Sequence, residues 1–315
     1  MPRRLIWYGQ MTTRRRLVGR GLALLGGGVL WLSVFLTLPG LVLAAAALAR
    51  AGDHGEIVWT CSLDNFRRLL TVETVQSWVG RGDEQQAFSR TSLPYLEILL
   101  RSLWVALVTT AFSIGLAFPL AFYIATRPPR RRYLWLAVVV IPFCTNLVIR
   151  ASAWMLMLSS QSWLSRLARV LGLLEADAGL YPGPLAVYLG MASSALPFAV
   201  LPLYASIERL DWSLLDAARD LYAPRRAVFR HAVLPQTLPG LSVAVILTFI
   251  PAMGMFVVPD LLGGGKPFLV GNLIQQQFGP SRDLPFGAAV SLGLMVLTLL
   301  GMFVLRRHGR GVEPT

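Results

Sequence analysis

Apolar residues run along this chain in long unbroken stretches, separated by short segments that hold nearly all of its charge. No charged residue interrupts the windows between Arg20 and Arg50 or between Arg101 and Arg127. Further windows lie between Arg132 and Arg150, Asp177 and Glu208, His231 and Asp260, and Asp283 and Arg306. A helix needs roughly 20 apolar residues to cross about 30 Å of hydrocarbon. The pattern therefore predicts six membrane-spanning helices, near 21–48, 98–126, 133–157, 184–207, 239–259 and 285–305. Membrane strands would alternate apolar and polar positions in ten-residue segments, and these runs of Leu, Val and Ala do not alternate. The expected fold class is an all-α membrane protein.

The remaining segments fall into place around those spans. Residues 1–20 form a basic arm, 21–49 hold the first span, and 50–97 form a loop with a short helix at Asp64–Leu70. Residues 98–305 form a five-helix core that includes a polar loop at 208–238, and 306–315 form a tail. Within 158–183, Trp163, Leu164, Leu167, Val170 and Leu171 recur at helical spacing, which predicts an amphipathic helix lying in the interface. Arg150, within the third span, is expected to organise that span, with its side chain snorkelling to the outer interface.

Composition agrees with a lipid environment. The chain is 55% hydrophobic and 14% charged, whereas a soluble domain carries about a quarter charged residues. The net charge of +13 invites a nucleic-acid reading, but its distribution argues for topology. With six spans, both termini and the loops near 130 and 220 share one side. That side holds 18 basic and five acidic residues; the other holds 11 of each and balances. Such asymmetry follows the positive-inside rule, so both termini are expected to be cytoplasmic and no nucleic acid is expected as a partner. The first window is about twice the length of a signal-peptide core and is read as an uncleaved anchor. Cys61 and Cys144 give no disulfide framework, and His54, His231 and His308 give no metal-ligand spacing.

The loop at 208–238 carries the most chemistry. Ser213 with Asp216 has capping-box spacing. Ala217 and Ala218 favour helix with little bulk, and Pro224 suits the start of a second short helix. This predicts two short helices at an angle, with an alanine patch that lets a partner approach closely. The run Gly263-Gly-Gly-Lys266 lacks the first glycine and the Ser/Thr of a phosphate loop and is expected outside the cell.

Asp216, Ala217, Ala218, Arg219, Asp220 and Tyr222, followed at family spacing by Leu234-Pro235, resemble the EAA signature of ABC importer permease subunits. Three further segments resemble the same family: Ser62-Leu-Asp-Asn-Phe66, the stretch from Ile141 to Arg150, and the lead-in from Pro202 to Asp211. The stretch from Pro251 to Lys266, with Gly271-Asn-Leu-Ile274 and Asp283-Leu-Pro-Phe-Gly-Ala-Ala289, resembles the spermidine/putrescine (PotB-type) permeases. The resemblance implies the type I ABC importer permease fold, with the 208–238 loop as the coupling segment. It also implies a bacterial inner-membrane location, a second homologous permease, a cytoplasmic ABC ATPase dimer and an extracytoplasmic substrate-binding protein. No cofactor is expected on this chain, ATP and magnesium belonging to the ATPase. Two positions depart from the signature: its glutamate is Asp216, and its glycine is Tyr222. The second implies either a reshaped turn or a ring used against the partner.

A polyamine path would need carboxylates or aromatic faces. Asp260, Glu208, Trp154, Tyr204 and Phe256 are the candidates, each with a plainer reading as an interfacial anchor or a helix end. An intramembrane enzyme would need paired catalytic groups at depth, and a secondary transporter would need ionisable residues for ion coupling. The spans supply neither. A permease of the same family for a different solute is the alternative that stays open.

Overall fold

The computed structural model describes residues 26–35, 37–52, 56–70, 73–79, 86–92, 94–172, 174, 179–264 and 269–309. The arm at 1–20, the end of the tail and the 265–268 part of the glycine-lysine turn lie outside the described residues.

Helix α1 (Gly26–Ala47) leads into a segment that combines two small antiparallel hairpins with one helix. Strand β1 (Arg50–Ala51) pairs with β2 (Ile57–Val58), helix α2 spans Asp64–Leu69, and β3 (Glu73–Val79) pairs with β4 (Gln86–Ser92). The sequence pattern predicted only the helix here. Asn65 shows why that helix forms where it does. It is buried, and its Nδ2 donates to the carbonyls of Ala47 (2.9 Å) and Ala49 (2.7 Å). These are carbonyls that the end of α1 leaves open. The Arg68 guanidinium then ties α2 to the far end of the chain, 2.8 Å from Asp283 and over the Phe286 ring.

The centre of the molecule is α3 (Pro94–Ala125), α7 (Pro184–Glu208) and α10 (Leu234–Gly254). Ser113, Ala117, Ala121 and Ala125 form a buried stripe on α3, four residues apart. Small residues at this spacing let helix backbones approach, which is how helices associate where lipid removes the hydrophobic drive. Ala199, Val200 and Leu203 of α7 and Ala244 of α10 complete that core. At Gly240 two of these helices approach closely: a Cβ there would lie 2.4 Å from the Ser206 Cβ and 2.7 Å from the Pro202 carbonyl. The outward faces keep Leu100, Trp104, Leu107, Phe112 and Leu116 exposed, as a lipid-facing surface requires.

Two predicted spans are built differently from the expectation. The third is broken. Helix α4 (Pro129–Val140) passes through a 3₁₀ turn (Ile141–Cys144) and restarts as α5 (Leu147–Leu158), bent by 96°. Pro142 lacks the N–H needed to continue the helix, and Asn146 caps the new start by accepting from the Val148 N–H at 2.8 Å. The fifth begins earlier than 239. Helix α9 (Arg225–Val228) runs through a π turn (Phe229–Val233) directly into α10. Together they form a 30-residue helix, Arg225–Gly254. The wide π turn accommodates Pro235, whose ring would clash with the carbonyl four residues back in a regular helix.

The chain then makes α11 (Val257–Gly263), α12 (Val270–Phe278) and α13 (Leu284–Gly309). The amphipathic helix appears as α6 (Trp163–Val170), with Trp163, Leu167 and Val170 exposed and Ser165 and Ala168 buried. Among the described residues, five helices are long and apolar enough to cross a membrane, and six if the bent pair counts as one span.

Candidate functional site: the α7–α10 loop

After α7 the chain turns through Arg209 and Leu210 into α8 (Trp212–Asp220). The cap is Asp211, not Ser213: Asp211 Oδ1 accepts from the Ser213 N–H (3.0 Å) and from the Ser213 hydroxyl (2.6 Å). These bonds hold the Asp211 carboxyl below its usual range. Sequence alone could not separate the two, because both are good capping residues two positions apart. Asp216 instead pairs with Arg219 one turn on, at 3.0 Å on the surface. Gln236 fastens the loop at its base. Its Oε1 accepts from the Asp211 N–H (3.0 Å), and its Nε2 donates to the Ala232 carbonyl (2.9 Å).

The end of α8 decides the geometry. The Tyr222 N–H donates to the Arg219 carbonyl (2.9 Å) and the Ala223 N–H to the Ala218 carbonyl (3.1 Å). This is the Schellman pattern, whose closing residue must be left-handed and is usually glycine. Tyr222 adopts that conformation, with φ of 56°. The turn is therefore not reshaped to suit the bulkier residue; the tyrosine takes the glycine's backbone conformation. Its ring is left in the open: Tyr222 is 95% exposed and Leu221 82%.

Behind them, Ala217, Ala218, Ala223 and Ala227 line an open groove of about 820 Å³ between α8 and the α9–α10 helix, floored by Val228 and Pro235. Leu215 points the other way, into the core. The expected second short helix is not separate, since it is the first turn of the long helix, with Pro224 as its cap residue. Leu234 and Pro235 lie at the start of α10, beyond the π turn. The eight signature residues thus fall on a single helix-turn-helix with an exposed two-residue tip. Leu221 belongs to it although the signature gave no sign of it.

The candidate path residues fall at two places. Glu208 forms an ion pair with Arg132 of α4, and Arg132 also donates to the Ala125 carbonyl at 2.9 Å. The Tyr204 hydroxyl lies beside the same pair. This cluster lies at the loop end of the bundle. Trp154, Phe256 and Asp260 lie on α5 and at α11, which pack together away from the loop. The Trp154 indole donates to Ser193 Oγ at 2.9 Å. Asp260 is exposed within α11, and Phe256 is the residue before it. The structure does not bring the five together.

The family glycine and asparagine near the second group have a physical role. A Cβ on Gly271 would lie 2.7 Å from the Gly254 carbonyl. Asn272 Nδ2 donates to the Phe256 carbonyl at 3.2 Å. Together they seat α12 against the break between α10 and α11.

The described residues thus form a bundle of apolar helices with an exposed helix-turn-helix at one end. The chain belongs to the family of binding-protein-dependent transport system inner membrane components, whose sequence pattern it matches over residues 117–314. It is 36% identical over 280 residues to the spermidine/putrescine transport system permease protein PotB of Escherichia coli K12, covering 89% of this chain and 94% of that protein. PotB of Haemophilus influenzae is also 36% identical, over 281 residues, 89% of this chain and 91% of that one.

In fold, it resembles a subunit of a bacterial ABC transporter for alginate import, with a TM-score of 0.65 at 15% identity over 97% of this chain and 100% of that one. The chain is an inner-membrane permease subunit of an ABC importer, working with a substrate-binding protein and an ATPase. It has the type I importer permease fold.

Proposed function

We propose that the chain is one of two homologous permeases that together enclose an import path for polyamines, spermidine and putrescine foremost. Its α8 elbow docks on a cytoplasmic ABC ATPase, which binds the ATP and magnesium; the chain itself carries no cofactor. Both termini lie in the cytoplasm, on the same side as the elbow, where the excess basic charge collects. The observation that carries this reading is the elbow: a capped helix closed by an exposed Leu221–Tyr222 tip beside an alanine-lined groove, at the signature positions. The apolar tip is a ready-made anchor for a groove in a partner. The extent of the likeness to PotB proteins supports the solute class.

Asp260, with Trp154 and Phe256 on neighbouring elements, offers a carboxylate and ring faces for an ammonium group on the binding-protein side. Glu208 and Tyr204 stand at the opposite end, near the exit.

Two measurements test this. Proteoliposomes holding the four-component complex take up radiolabelled spermidine on addition of ATP; uptake no higher than in empty liposomes rejects the polyamine assignment. A cysteine at Leu221 crosslinks to the ATPase under mild oxidant, and a crosslink only to extracytoplasmic reagents rejects the docking surface.

A further inference from the structure

Arg150 stands where a lone cation is least stable. It lies in the first turns of α5, just past the break in the third span. Its Nη2 donates to Ser194 Oγ at 3.3 Å and its Nη1 to the Pro142 carbonyl at 3.2 Å. Its Nε is buried without an acceptor, and its Cζ lies 5.8 Å from the centre of the Phe143 ring. Ser194 fixes the depth. It is ten residues from Pro184 and fourteen from Glu208, or about 15 Å and about 21 Å along a helix rising 1.5 Å per residue. The guanidinium is therefore near mid-membrane and not at the outer interface expected from sequence.

No acid among the described residues answers it. None of the ion pairs among the described residues includes Arg150, and the sequence places no carboxylate inside any span. Charged groups at this depth pair with one another or line a polar cavity. Both groups that accept from Arg150 are neutral, so its charge is left uncompensated among the described residues. Beside it, Ser194 lines a narrow crevice between α7 and α10. Phe143 packs edge-on against Phe198 there, with ring centres 4.9 Å apart. Phe143, Phe198 and Leu247 leave that face open.

We propose that this face of α5, α7 and α10 meets the second permease of the pair, and that a carboxylate on a span of that subunit docks on Arg150 at mid-membrane depth. The proposal rests on the paired-permease reading above. A carboxylate suits the site because a guanidinium can offer it two parallel donors, and Nη1 and Nη2 each donate only once here. A polyamine is repelled by a cation, so the solute is not the occupant. A lipid phosphate sits at the headgroups, at least about 15 Å away by the same helix rise.

The test is recovery of the second permease with the tagged chain from detergent extracts of the full complex. Arg150→Gln lowers recovery at least about tenfold, because it leaves the partner's acid buried and unpaired, and Arg150→Lys lowers it less. Arg150→Glu abolishes it, and changing one in-span Asp or Glu of the second permease to Arg restores it. That rescue separates lost pairing from misfolding. Recovery with Arg150→Gln equal to wild type overturns the proposal, as does failure of every such reversal to rescue Arg150→Glu. If the wild-type chain recovers no second permease, the paired-permease reading is what fails.

Discussion

Tyr222 holds a left-handed backbone with no side-chain contact to support it. For a residue with a Cβ this conformation costs roughly 1–2 kcal/mol, which glycine avoids. Such a cost persists where something outside the chain makes use of it. Replacement separates the two effects. Tyr222→Gly should raise the thermal midpoint of the isolated subunit while weakening transport-coupled ATP hydrolysis, and Tyr222→Phe should keep both at wild-type levels. Equal coupling in the glycine and phenylalanine variants would mean the ring has no part in docking.

Asn65 makes the opposite case, a polar side chain wholly committed within the molecule. Asn65→Ala leaves the Ala47 and Ala49 carbonyls open. It should cost about 1–3 kcal/mol, visible as earlier thermal unfolding and faster proteolysis of the 50–70 segment. The asparagine was legible in the sequence as part of a family-like segment; its role was not, because its two acceptors lie 16 and 18 residues earlier.

At the scale of elements, the elbow and the helix crossing beneath it respond to different variables. The Asp211 carboxyl is held low by the Ser213 bonds, so its capping contribution is complete above the ordinary aspartate range and is lost as pH falls through its depressed folded value. Amide exchange at Ser213 and Leu214 should therefore accelerate on acidification below about pH 4, and in Asp211→Asn that pH dependence should vanish.

The α7–α10 crossing answers to volume instead. Gly240→Ala forces a methyl against Ser206 and the Pro202 backbone, which should destabilise by about 1–3 kcal/mol, measured as a lower midpoint in detergent. Helix positions here were readable from the charge-free windows, but the break in the third span was not. Pro142 and Asn146 are each tolerated in a continuous span. Only packing against α7 and α11 fixes the 96° bend between α4 and α5.

For the whole molecule, the Arg132–Glu208 pair joins the broken span to the end of α7 beside the elbow. Both groups are partly exposed, so solvent screens the pair and it adds little to stability. Glu208→Gln should leave the uptake KM for spermidine unchanged if the carboxylate serves this tie, and raise it severalfold if the carboxylate also meets the solute; dose-dependent uptake distinguishes them.

What the order of residues determined by itself was the lipid solvent and the places of the long apolar helices. Unbroken apolar windows are stable only in lipid, and charge clusters report which ends share a side. Which residues meet was settled by the packed bundle. Packing of α3, α7 and α10 set Arg150 beside Ser194, gave Glu208 to Arg132, and left Leu221 and Tyr222 exposed at the tip, because those outcomes depend on neighbours brought together from distant parts of the chain.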